Sequence, residues 1–247
     1  MVGGRGLRIA FVGKGGAGKS LIAGTLCRHL ARSGEWVLAM DVDTMVGLSI
    51  SIGLGETAAA GLPTGLAERV EGKGWQVKRG VRPATLVDRF AMRGPDGVRL
   101  LQLGKLPRDV EPSVTVAFRH VLERFNRRNW SVVADLAAGT RQPMFGWARF
   151  APTLVVVADP AAASLLAARR LVRAGVGTHV VANRVQGDDD VAAIQQAIAL
   201  PLLGWVPYDA SVADAERTGA APIDATPTAP AVKAIGALAA RLLRDAG

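Results

Sequence analysis

One cysteine, Cys27, and one tyrosine, Tyr208, stand in a chain of 247 residues. A lone cysteine excludes an intrachain disulfide framework and a thiolate metal site built by one chain. Aromatic residues make up only 5%, so the apolar content rests on Val, Leu, Ala and Gly. That mixture suits Val/Leu strands covered by Ala-rich helices. No apolar run reaches the roughly 18 residues of a membrane-spanning helix, and the first residues lack the apolar stretch of a secretion signal. A reducing cytoplasm is the expected compartment. Acidic residues are the scarcer charge, 21 against 30 Lys and Arg, for a net +9. The imbalance concentrates between Thr64 and Arg128, where 14 basic residues face 7 acidic ones, a net +7. An arginine-rich solvated surface accounts for this middle region; DNA, an anionic membrane or an acidic protein are the partners such charge would suit.

What the chain does have is apolar runs alternating with helical patterns. Strands are expected at Leu7–Val12, Trp36–Met40, Val98–Leu103, Ser131–Leu136, Leu154–Ala158, His179–Ala182 and Leu202–Val206. Several are uninterrupted rather than alternating, as strands covered on both faces are. Helices are expected at Lys19–Ser33, Ser113–Arg128, Ala162–Ala174, Asp190–Ala199, Val212–Arg217 and Ala229–Asp245. The alternation predicts an α/β fold, a mostly parallel twisted sheet of about seven or eight strands flanked by helices. One domain is expected over 1–247, with short helices and loops over the irregular stretch Gly53–Gly97. In the last helix Val232, Ile235, Leu238, Ala239, Leu242 and Leu243 share a face. That face is expected to dock on the sheet rather than on a membrane.

Gly13 to Ser20 reads G-K-G-G-A-G-K-S, which fits G-x-x-x-x-G-K-[ST] between an apolar strand and a helix. Gly13, Gly15, Gly16, Ala17 and Gly18 would let backbone N–H groups curl around phosphate oxygens. The helix start adds free N–H groups and a positive dipole end. Lys19 would reach the β/γ-phosphates and Ser20 would ligate Mg²⁺. The chain is thus expected to be a P-loop NTPase using ATP/ADP and Mg²⁺. Strand-end carboxylates complete the expectation: Asp41 and Asp43 in "WVLAMDVDT" and Asp135 in "WSVVADLAAGT". Ligands of open α/β sheets lie at such carboxyl ends.

The extra lysine, Lys14, makes the loop resemble the deviant Walker A motif of MinD/ParA ATPases. The resemblance implies an ATP-dependent homodimer in which Lys14 reaches the partner's phosphates, much as an arginine finger does. It gives Asp43 the attacking water and Asp41 a water-mediated contact to Mg²⁺ or a bracing role. Asp135 becomes the Walker-B-like residue near Mg²⁺, with Gly139 allowing the following loop to move. It places Leu21, Asn183 and Arg184 against the nucleotide, the Asn183 amide reading the adenine edge. Pro207, Tyr208 and Asp209 would lie beside the base, with stacking and core packing both open for Tyr208. Ser164 reads as scaffold. Within the group, "AMDVDTMVGLSISIG", "VRLLQLGKLP" and "DLAAGT" are most similar to accessory ATPases that mature nickel carbon monoxide dehydrogenase. A client protein, such as a metalloenzyme, is therefore implied. Those proteins carry a Cys-x-Cys pair soon after the segment matching "LGKLP"; here "LGKLPRDVEPSVTV" has no cysteine. A four-thiolate site at a dimer interface needs two cysteines per subunit. A positioning or partition ATPase binding DNA or membrane, and a regulatory module with little hydrolysis, are the other functions the sequence allows.

Overall fold

The computed structural model describes residues 6–43, 47–56, 61–104, 111–139 and 141–246, without the side chains of Glu111 and Met144. Parts of three motif segments, the stretches 44–46 and 105–110 and Thr140, lie outside these residues.

The expected alternation forms. In chain order it runs β1 (Arg8–Gly13), α1 (Lys19–Arg32), β2 (Trp36–Asp41), α2 (Gly47–Ile52), β3 (Ala67–Val70), β4 (Gly74–Val77) and α3 (Pro83–Phe90). Next come β5 (Met92–Arg93), a 3₁₀ turn at Pro95–Gly97, β6 (Arg99–Gln102), α4 (Glu111–Arg124), β7 (Trp130–Asp135) and α5 (Arg141–Met144). The rest is β8 (Thr153–Ala158), α6 (Ala162–Arg173), β9 (His179–Val185), α7 (Asp188–Ala197), β10 (Leu202–Pro207), α8 (Ala210–Thr218), α9 (Pro222–Ala225) and α10 (Pro230–Ala246).

Eight strands make one sheet in the order β10-β9-β8-β1-β7-β2-β6-β5. Every pairing is parallel except β5 with β6. The apolar runs are explained by burial on both faces. Ala10, Val12, Leu38, Met40, Val132 and Ala134 face one layer with Phe118, Val121 and Phe125 of α4 and its end. Ile9, Phe11, Val37, Ala39 and Val133 face the other, with α1 and α10. The last helix docks as expected. Val232, Ile235, Leu238, Ala239 and Leu242 are buried, and each large side chain so buried contributes about 1.5–3 kcal/mol. Among the described residues no helix is long and apolar enough to cross a membrane.

Most boundaries shift by one or two residues, and three differences are informative. The helix expected over Ser113–Arg128 runs from Glu111 to Arg124, and Asn129 takes a left-handed φ of 64° in the turn into β7. The helix expected from Asp190 begins at Asp188, with three aspartates in its first turn, where the helix dipole favours them. The stretch Gly53–Gly97 is more regular than loops and short helices. It holds the antiparallel hairpin β3–β4 and the edge strand β5.

Candidate functional site

β1, β7 and β2 are neighbours and run parallel, so their C-terminal ends deliver three loops to one edge of the sheet. Asp41 of β2 lies opposite Asp135 of β7, and Phe11 of β1 lies opposite Asp135 from the other side. β1 runs directly into the glycine-rich loop. Gly13, at φ 151°, is so close to β8 that a Cβ would stand 2.4 Å from the Val157 carbonyl oxygen. Gly18 caps α1 in the left-handed region at φ 91°. A Cβ there would meet Asn183 Nδ2 at 2.1 Å. The loop thus requires glycine from behind as well as from the phosphate side.

Lys19 is 6% exposed, and its ammonium donates to the Lys14 carbonyl at 3.4 Å. Lys14 is exposed and its ammonium turns back onto the Gly15 carbonyl at 3.3 Å. The Ser20 hydroxyl donates to Asp135 Oδ2 at 2.5 Å. Asp135 Oδ1 is buried and has no hydrogen-bond partner among the described residues. A buried carboxylate oxygen left open beside a serine hydroxyl fits a hard cation that keeps waters and phosphate oxygens as its other ligands. Burial pushes the Asp135 carboxyl up to about 6, opposed by the Lys19 charge and the Ser20 bond. Asp41 is held well above the usual carboxylate range, first by burial and then by the Asp135 charge. Its oxygens accept from the Asp43 N–H at 3.1 Å and from Gln102 Nε2 at 3.2 Å. Asp41 therefore braces the strand end. Asp43 sits half-buried just beyond it.

A cleft of about 260 Å³ opens over the loop, lined by Gly16, Gly18, Lys19, Ser20, Leu21 and, across from them, Ser51 and Pro222. A narrower cleft adjoins it, with Asn183, Pro207, Tyr208 and Asp209 in its wall. Leu21, Arg184 and Glu216 line both. Of the expected nucleotide-binding residues, Gly16 to Leu21 apart from Ala17, Asn183, Arg184, Pro207, Tyr208 and Asp209 line these two adjoining clefts, whereas Gly13, Lys14, Gly15 and Ala17 line neither. Their roles divide. Asn183 is fully buried and donates to the Ala17 carbonyl at 2.8 Å, leaving its Oδ1 open. Arg184, at a φ of 56° that non-glycine residues rarely adopt, donates to the Gly16 carbonyl at 2.7 Å. Tyr208 is 52% exposed at the groove rim, which removes the core reading. Asp209 caps α8, accepting from Ser211 N–H and Val212 N–H. Ser164 is buried and accepts from the Asp159 N–H, as scaffold.

Three residues escaped the sequence reading. Gln142 accepts from the Ala137 N–H and donates to the Val42 carbonyl, joining the loops that follow Asp135 and Asp41. Glu216 pairs with Arg184 at 3.6 Å across the groove, its carboxyl raised by burial against that arginine. Arg28 of α1 is 2% exposed yet charged. It donates to the Ile52 carbonyl at the end of α2, to Asp96 and, through two nitrogens, to Asp224 of α9. α2 and α9 carry the far wall of the cleft, so Arg28 ties that wall to the helix that starts at the loop.

Residues 9–223 match the model of the CobQ/CobB/MinD/ParA nucleotide binding domain. The chain is 31% identical over 243 residues to the carbon monoxide dehydrogenase accessory protein CooC of Rhodospirillum rubrum, covering 90% of this chain and 91% of that one. An uncharacterized ATP-binding protein of Methanocaldococcus jannaschii is 28% identical over 240 residues, covering 94% and 85%. Among solved structures, a ParA family ATPase from Chlorobium tepidum superposes with a TM-score of 0.72 at 16% identity, covering 95% and 98%. The Mg-ADP complex of MinD from Pyrococcus horikoshii gives 0.71 at 20%, covering 97% and 96%. At those identities the structures speak for the fold.

Proposed function

Since the chain belongs to the CobQ/CobB/MinD/ParA nucleotide binding domain family, we propose that it is a Mg·ATP-driven dimer switch acting as an accessory ATPase in metallocentre assembly for a client enzyme. The chain is an ATPase of this family. The observation that carries the reading is the open, buried Oδ1 of Asp135 next to the Ser20 hydroxyl and Lys19. That grouping suits a cation seated against the phosphates of ATP. The likeness to an accessory protein of carbon monoxide dehydrogenase supports the kind of client.

Ser20 and Asp135 would hold Mg²⁺, which would neutralise charge on the β- and γ-phosphates. Lys19 and the loop amides bind the same phosphates. Lys14 is exposed at the loop and would leave the Gly15 carbonyl to meet a second subunit's nucleotide. Asp43 orients the attacking water. Asn183, Pro207 and Tyr208 take the adenine, and Arg184 and Glu216 flank the passage between base and phosphates. Gln142 links the segments after Asp43 and Asp135, so loss of the γ-phosphate can reach both together.

The test uses Asp43→Ala. With Mg·ATP this variant should bind nucleotide, turn over at least about a hundredfold more slowly and persist as a dimer by light scattering. Immobilised in that state it should retain a metalloenzyme and release it on exchange into ADP. Normal turnover by the variant, or no difference in client retention between ATP and ADP, would contradict the proposal.

A further inference from the structure

The end of the sheet remote from the phosphate loop carries a second surface that nucleotide chemistry leaves unused. Trp36 opens β2, Trp130 opens β7, and the register sets them side by side. Their rings stack at 5.6 Å with 19° between planes. Trp130 is buried at 8% exposure, while Trp36 is 57% exposed. Phe125 meets the Trp130 ring edge-on at 5.7 Å, and the Arg127 guanidinium lies over that ring at 5.6 Å. The exposed indole is thus mounted on a fixed aromatic and cationic base.

Arginines continue the same face. Leu38 follows Trp36 by two residues and pairs with Arg99, which pairs in turn with Arg93 on the edge strand. Side chains two apart on a strand, and directly opposite across strands, share a face of the sheet. Asp88 of α3 accepts two hydrogen bonds from Arg127. That bond, with the charges of Arg99 and Arg93 beyond it, holds its carboxyl below the usual range against slight burial. Glu35, next to Trp36, turns its carboxylate to the Ser131 hydroxyl at 2.9 Å. Three arginines against one paired aspartate leave this ledge positive, within the stretch of the chain that carries a net +7.

We propose that this ledge binds single-stranded nucleic acid, with a base on Trp36 and the phosphates passing Arg93 and Arg99. The composition favours this partner over a protein. A protein interface has an apolar centre with a polar rim; here one exposed ring is set among cations. Base stacking on an aromatic beside a basic track is how unpaired strands are held without sequence reading. A duplex keeps its bases stacked within itself and offers Trp36 none.

The experiment measures anisotropy of a short labelled oligothymidylate with the full chain, with no nucleotide added. Trp36→Ala should weaken binding roughly tenfold; Trp36→Phe should keep most of it, and both should hydrolyse ATP at the normal rate. Arg93→Glu should weaken binding and flatten the salt dependence. Two phosphate contacts predict a loss of roughly sevenfold between about 50 and 200 mM salt. Binding unchanged in Trp36→Ala, duplex bound as tightly as single strand, or polyglutamate displacing the oligonucleotide at equal charge would each overturn the proposal. The last result would assign the ledge to an acidic protein.

Discussion

Asp41 and Asp135 end adjacent parallel strands directly opposite one another, and both carboxyls are buried. Asp41 is satisfied by Gln102 and the Asp43 N–H, whereas Asp135 keeps one oxygen open. In the proposed function the pair divides into a brace, Asp41, and a candidate cation ligand, Asp135. Their closeness raises the cost of ionising Asp41 in the absence of a cation.

Magnesium affinity will depend on pH. A cation needs Asp135 ionised, so apparent Mg·ATP affinity should rise as pH climbs through about 6. Stability of the nucleotide-free chain should move the other way. A folded pKa above the unfolded one means that the folded chain binds the extra proton. The resulting stabilisation is complete below the ordinary carboxylate range and is lost as pH rises through about 6. Asp135→Asn should remove its share of that dependence and leave the share of buried Asp41, stabilise the nucleotide-free chain at pH 8 by on the order of 2–3 kcal/mol, and weaken the effect of magnesium on nucleotide binding. Thermal melts across pH, with and without Mg²⁺, check all three.

Gly18 and Asn183 should prove coupled. In Gly18→Ala the new methyl meets Asn183 Nδ2 and the backbone stays left-handed, costing about 2 kcal/mol or more. In an Asn183→Ala background the steric part disappears and only the backbone part remains. A double-mutant cycle read by urea denaturation should give a coupling of about 1 kcal/mol or more. Strict additivity would contradict the contact.

The phosphate loop, both strand-end carboxylates and the central strands were legible in the sequence for one reason: each depends on local pattern. Glycine spacing sets the loop, and doubly buried strands need unbroken apolar runs. The hairpin β3–β4 carried a local signal too, since "ERVEGKGWQV" places Gly72 and Gly74 about its turn, but its charged exposed residues hid the strand pattern. Arg28, Gln142 and Glu216 carried none. Arg28 meets Asp224 across 196 positions of sequence, and Gln142 meets Val42 across 100. Only the folded topology creates such pairs. Asn183 was found through resemblance, but its bond to the Ala17 carbonyl came from the structure alone.

Arg28 should be among the most costly residues to remove. Arg28→Ala would leave Asp96 and Asp224 sharing only the exposed Arg32 and open the Ile52 carbonyl, a loss of about 2–4 kcal/mol. Asp224→Asn should cost less, because Arg28 keeps Asp96 and the Ile52 carbonyl and the new amide oxygen can still accept from it. Denaturant midpoints of the two variants at unchanged m-value test the order.

The central claim is that Lys14 acts on a second subunit. It is exposed at the tip of the loop, while Lys19 is already buried against the loop's own backbone. The direct measurement is light scattering of Lys14→Ala with Mg·ATP, alongside nucleotide binding and turnover. The account predicts ATP affinity within a few-fold of the parent chain, no ATP-dependent dimer, and turnover at least about a hundredfold lower. A variant that dimerises and hydrolyses ATP like the parent would make Lys14 a loop charge and contradict the account.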